Sequence, residues 1–146
     1  MSAQAEPEIR VLDSEGELRE AMDLFLTAMV GLPPGPTFPA GRVGDYLEAG
    51  RTLGAFIEGA LVGTVDATSG SIVLPGGGRT RHTAVTHIGV LPTHTRRGVV
   101  SALVRRQLRD ARSRGDVIAT LRASEATIYE RFGYGIASTA TSLEVA

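Results

Sequence analysis

Residues 83–123 constrain the fold more than any other stretch, because they read as strand, helix and strand in direct succession. Thr83 to Leu91 is a strand ended by Pro92. Gly98 opens a helix that runs to about Ser113, with Val100, Leu103, Val104, Leu108 and Ala111 on one face and most of its arginines elsewhere. Gly115 terminates it, and Asp116 to Arg122 carries Val117, Ile118, Ala119 and Leu121 in a second strand. A strand that returns through a helix lies parallel to the next one. The first strand also changes phase: Val85 is odd, Ile88 even and Val90 even. A strand with one buried face changes phase only where a residue is inserted, which places a β-bulge near His87 or Ile88. A strand buried on both faces is the other explanation, and Gly89 favours the bulge.

The remainder supplies a mixed sheet. Residues 1–7 read as a loose terminus and Glu8 to Leu12 as a short strand. Ser14 and Glu17 have the spacing of a capping box, before a helix over Leu18 to Val30. Residues 31–41 form a Pro/Gly-rich loop, and Val43 to Ala49 a short helix. Thr52 to Ile57 and Leu61 to Thr68 make a hairpin around Glu58-Gly59-Ala60, and Ser69 to Arg81 a flexible hairpin loop. Ser124 caps a short helix through Phe132, and Ile136 to Val145 is a last strand. The expectation is an α/β chain of one domain, residues 1–146, with a central bulged mixed sheet flanked by helices.

Composition removes several chemistries. The chain has no cysteine, so thiolate metal sites and cysteine nucleophiles are excluded. All 15 basic residues are arginine, which excludes Schiff-base lysines and a P-loop lysine. The net charge of -1 offers no global attraction to nucleic acid or anionic lipid. No apolar run approaches a membrane span, and the first ten residues carry no secretory signal, so a cytoplasmic location is expected. His82, His87 and His94 lack paired ligand spacing, so no metal is expected. The run RRQLRDARSR reads as a solvated helix face rather than an RNA site, since no aromatic stacking pair accompanies it. LPGGGRT reads as a turn, because neither lysine nor helix follows its glycines.

Seven arginines nevertheless lie between Arg96 and Arg114. The junction VLPTHTRRGVVSALVRRQL runs from the bulged strand through a small, basic loop into a helix N-terminus. Amides of a first helical turn have no intrahelical partners, and the helix dipole adds positive charge there. Gly98 admits an anion close to the backbone, and Arg96 and Arg97 add forked cationic donors. Together these features describe a pyrophosphate site.

This junction resembles motif A of the GNAT (GCN5-related N-acetyltransferase) superfamily, and ASEATIYERFGYG, Ala123 to Gly135, resembles the tyrosine-bearing helix of the Eis (enhanced intracellular survival) group. The resemblance covers most of the chain and is best over Val85 to Gly135. It implies a GNAT acyl-CoA N-acyltransferase fold, here lacking the last strand, and acetyl-CoA as co-substrate. It places the backbone of Ile88, Gly89 and Val90 along the acetyl and pantetheine arm. Arg96, Arg97, Gly98, Val99, Val100 and Ser101 would hold the pyrophosphate, with Ser124 and Glu125 beside the cofactor. Tyr129 matches the tyrosine that protonates the departing thiolate. Two positions depart from the pattern: Thr95 stands where Arg or Gln is usual, and Val100 where Gly or Ala is usual. Thr95 removes one cation and leaves backbone donation intact.

The implied reaction is direct transfer of acetyl to a primary amine, since enzymes of the Eis group acetylate amines, including aminoglycosides. Asp23, Asp45 and Glu48 suit a cationic acceptor such as a polyamine or aminoglycoside. The group's general base is the C-terminal carboxylate of a much longer chain, and its members form hexamers, which implies a homo-oligomer. Here Glu58, Asp66, Glu125 and His87 are the candidate water-relayed bases. The alternative is a CoA-binding, non-catalytic or incomplete domain that needs C-terminal domains or a partner. Nucleic-acid binding, the third reading, would show steep salt dependence.

Overall fold

The computed structural model describes residues 6–29 and 42–141. Five strands form one sheet in the order β1-β2-β3-β4-β5. They are β1 (Glu8–Val11), β2 (Leu53–Ile57), β3 (Ala60–Val73), β4 (Arg79–Val90) and β5 (Ile118–Leu121). The first four run antiparallel in sequence order, and β4 pairs with β5 in parallel. Helix α1 (Glu15–Ala28) packs on β3 and β4, and helix α2 (Val99–Ser113) packs on β2, β3 and β4. A short helix, α3 (Thr127–Glu130), follows β5.

The two helices cover opposite faces of the sheet. A Cβ on Gly63 would lie 2.7 Å from Val99 Cγ1 of α2, whereas one on Gly89 would lie 3.1 Å from the Phe25 Cα of α1. A Cβ at Gly63 would force the Val99 side chain to shift, and one at Gly89 would press on the α1 backbone, so glycine suits both close approaches. On the α2 face, Leu53, Ala55, Val65, Val85, Val99 and Leu103 form one core cluster. On the α1 face, Leu12, Leu18, Ala21, Leu24, Val43 and Leu61 form another. Buried on both sides, residues 61–67 of β3 lose the alternation that a one-sided strand shows.

The capping box at the start of α1 is present. Glu17 N–H donates to Ser14 Oγ at 3.3 Å, and Ser14 N–H donates to Glu17 Oε2 at 3.2 Å. The hydrogen bond from the Arg10 guanidinium, followed by those from Ser14, holds the Glu17 carboxyl down at about 2. Helix α1 therefore starts three residues before the sequence reading placed it, within the capping turn itself.

Several other readings need correction. Ser69 to Arg81 is not a flexible loop. Strands β3 and β4 continue to Val73 and from Arg79, and residues 74–78 make a tight turn in which Leu74 N–H donates to Gly78 O at 2.7 Å. Its serines and glycines concealed a regular ladder because both faces there meet solvent. The helix expected over Val43 to Ala49 shrinks to a single 3-10 turn, Val43–Asp45. Ser124 caps nothing, since α3 begins after Ala126 without a side-chain cap. Residues 136–141 carry no strand, and the rest of that expected strand lies outside the described residues, as does the loop at 31–41. Among the described residues, no helix is long and apolar enough to cross a membrane.

Candidate active site

The bulge lies where the change of phase placed it. Thr64 pairs with Gly89 and Asp66 with Thr86, so His87 and Ile88 together face Val65. His87 itself has φ 48°. Val85 precedes the bulge within the α2-face cluster, and Ile88 and Val90 pack against that same cluster after it. The inserted residue is thus what keeps all three on one face despite their mixed parity.

The bulge also ends a pairing. Strands β4 and β5 stay in register from His82–Ile118 to Val85–Leu121 and no further. Beyond Val85 the β5-facing backbone edge of Ile88, Gly89 and Val90 has no strand partner among the described residues. An open edge of this kind can pair with an extended chain-like ligand that carries its own amides.

Because β4 and β5 are parallel, the segments that leave their C-terminal ends emerge at the same end of the sheet. From β4 comes the turn Pro92–His94, then the loop into α2. Arg96 has φ 61° and Gly98, the N-cap of α2, has φ 77°. No side chain caps α2, no acidic residue occupies its first turn, and its first backbone bond runs from Ala102 N–H to Gly98 O. The amides of Val99, Val100 and Ser101 are left to an outside acceptor, with the dipole uncompensated. A Cβ on Gly98 would meet nothing within 4 Å, so the approach is open. Arg96 and Arg97 are exposed, and no ion pair engages them among the described residues. The Val99 side chain is buried against the sheet and anchors this turn, so it can offer a ligand only its backbone. Thr95 Oγ1 donates to Pro92 O at 3.2 Å, which ties the loop to itself.

From β5 comes the segment with Ser124 and Glu125, both exposed, and then α3 with Tyr129. The Tyr129 and Tyr134 rings meet edge to face, with centroids 6.2 Å apart. Burial raises the Tyr129 hydroxyl above its ordinary value, so it keeps its proton at neutral pH. Burial, followed by the neighbouring Tyr129, pushes Tyr134 up to about 12, and its buried hydroxyl has no hydrogen-bond partner among the described residues.

Among the candidate bases, Glu58 sits in the β2–β3 turn with φ 51°, at the end of the sheet where β4 finishes, with β3 between that turn and the open β4 edge. Asp66 and His87 are brought together, with His87 Nδ1 2.8 Å from Asp66 Oδ2. The sequence reading named both residues and did not pair them. The signal available was one aspartate inside the apolar run of β3, on the α1 face with Thr64. Of the acidic residues considered for a cationic acceptor, Asp23 and Asp45 are exposed. Glu48 is engaged by the Ser69 hydroxyl at 2.7 Å and lies 3.8 Å from the buried Arg51 guanidinium. The described residues contain no group of three or more His, Asp or Glu placed to hold a metal ion.

The family described as acetyltransferase (GNAT) domain matches residues 8–137. An uncharacterized N-acetyltransferase of Streptomyces avermitilis is 47% identical over 89 residues, 61% of this chain and 22% of its own. The N-acetyltransferase Eis of Mycobacterium bovis is 40% identical over 79 residues, 54% of this chain and 18% of its own. The crystal structure of Eis1 from Mycobacterium abscessus superposes with a TM-score of 0.80 at 54% identity, over 88% of this chain and 31% of that one. The chain thus spans less than a third of the length of these relatives.

Proposed function

The chain belongs to the GNAT acetyltransferase family, and from that premise we propose that it transfers acetyl directly from acetyl-CoA to a primary amine. The observation that carries this reading is the coincidence, at one end of the sheet, of an open β4 edge with the uncapped N-terminus of α2. Pantetheine, which carries two amides, pairs along Ile88, Gly89 and Val90, as an added strand would. The diphosphate lies on the amides from Arg96 to Ser101, with Arg96 and Arg97 beside it and Ser124 and Glu125 flanking the cofactor.

The amine nitrogen attacks the thioester carbon, and a backbone N–H of β4, that of Val90, stabilises the oxyanion. As the C–S bond breaks, Tyr129 gives its proton to the sulfur. A cationic amine of the polyamine or aminoglycoside kind is the acceptor class, with exposed Asp23 and Asp45 on the α1 and 3-10 segments. Titration calorimetry with acetyl-CoA, together with thiol release in the presence of such amines, tests the proposal. Binding and amine-dependent release are expected. Binding without release on any amine would leave a CoA-binding domain that needs further domains or a partner, and would overturn direct transfer by this chain.

A further inference from the structure

His87 occupies the one inserted position of β4. Its φ of 48° lies in a region that residues with a Cβ visit sparingly, and such conformations concentrate at functional sites. The imidazole is held on two sides. Asp66 Oδ2 lies 2.8 Å from Nδ1, and the Phe25 ring of α1 packs edge to face at 4.9 Å between centroids. A carboxylate is an acceptor only, so it selects the tautomer with the proton on Nδ1 and leaves the lone pair of Nε2 free.

The His87 side chain remains 30% exposed, whereas that of Asp66 is 7% exposed, and Asp66 Oδ1 has no hydrogen-bond partner among the described residues. A buried carboxylate carries a desolvation cost that a positive charge beside it offsets. Its placement is explained if positive charge develops on the ring beside it. In the chain, His87 immediately precedes Ile88, Gly89 and Val90, whose open edge is proposed to receive the thioester arm.

We propose that the His87–Asp66 pair is the general base of the transfer, an inference that rests on the acetyltransferase reading above. As the C–N bond forms, the proton on the attacking nitrogen passes to His87 Nε2, directly or through one water. Asp66 stabilises the resulting imidazolium through Nδ1–H and is a positioning residue. The C–S electrons leave on sulfur, which takes the Tyr129 proton. His87 then releases its proton to solvent and Tyr129 regains one from it, so the products are the amide and CoA thiol.

The backbone at position 87 suggests a variant that still folds. Glycine adopts positive φ without a steric penalty, so His87→Gly relieves strain while deleting the imidazole. Asparagine also tolerates this region, so His87→Asn keeps the backbone and a polar side chain without a base. Both variants are expected to lose roughly a hundredfold in kcat. The dissociation constant for acetyl-CoA should stay within about twofold, a split that lost packing would not produce. Added imidazole should restore turnover in His87→Gly in proportion to its concentration.

Wild-type kcat in His87→Gly, or a loss that imidazole leaves untouched, overturns the base assignment while the acetyltransferase reading stands. A wild-type chain that releases no thiol with any amine overturns both.

Discussion

Exchanging Arg96 and Arg97 together for glutamate is expected to weaken acetyl-CoA binding about a hundredfold or more, since each charge-assisted bond to a phosphate contributes about 1.5–3 kcal/mol. The two side chains are exposed and no ion pair engages them among the described residues, so the fold does not depend on them. Surface changes of this kind usually shift stability by no more than about 0.5 kcal/mol. Calorimetric titration of wild type and variant at low and moderate salt is the check. Wild-type affinity should fall as salt rises, and the variant should have lost most of that dependence. An unchanged dissociation constant would mean that the diphosphate binds elsewhere.

Replacing Tyr129 by phenylalanine should remove turnover rather than binding. The ring is retained, and with it the edge-to-face contact to Tyr134. Only the hydroxyl is lost. A positioned proton donor contributes about a hundredfold to ten-thousandfold, and a fall of about a thousandfold in kcat is expected. Burial keeps this hydroxyl protonated at working pH, as a donor requires. Acetyl-CoA affinity should be retained within about twofold. Tyr134→Phe is the contrast, because its hydroxyl is buried without a partner among the described residues and its removal is expected to be neutral or stabilising. Equal loss of affinity and turnover in Tyr129→Phe, or loss of neither, would contradict the assigned role. Stopped thiol release with acetyl-CoA still bound would support it.

The parts of this fold that were legible in the sequence are those where one local rule acts alone. The capping box of Ser14 and Glu17 could be read because two side chains and two amides three residues apart determine it. The bulge at His87 could be read because Val85 and Ile88 cannot share a face without it. The crossover between β4 and β5 followed from chain connectivity.

What could not be read depends on partners distant in the chain. The ladder beyond Ser69 exists because Ser69 to Val73 meets Arg79 to Thr83, although Ser69, Gly70 and Ser71 have little preference for strands. Thr83 and Asp116 are 33 residues apart, and the buried Arg51 guanidinium reaches Thr83 across 32, with no spacing in the sequence to announce either contact. The same holds for the site. The loop at Arg96–Gly98 was visible as a string of residues, whereas the pairing of His87 with Asp66 required the β3–β4 register.

A crystal structure of the chain with acetyl-CoA bound tests the central claim most directly. The account predicts diphosphate oxygens within about 3 Å of the amides at the start of α2, between Arg96 and Ser101, and the pantetheine arm paired along Ile88 to Val90. Acetyl-CoA density at any other face of the sheet, or an α2 N-terminus still free of phosphate at saturating ligand, would contradict it.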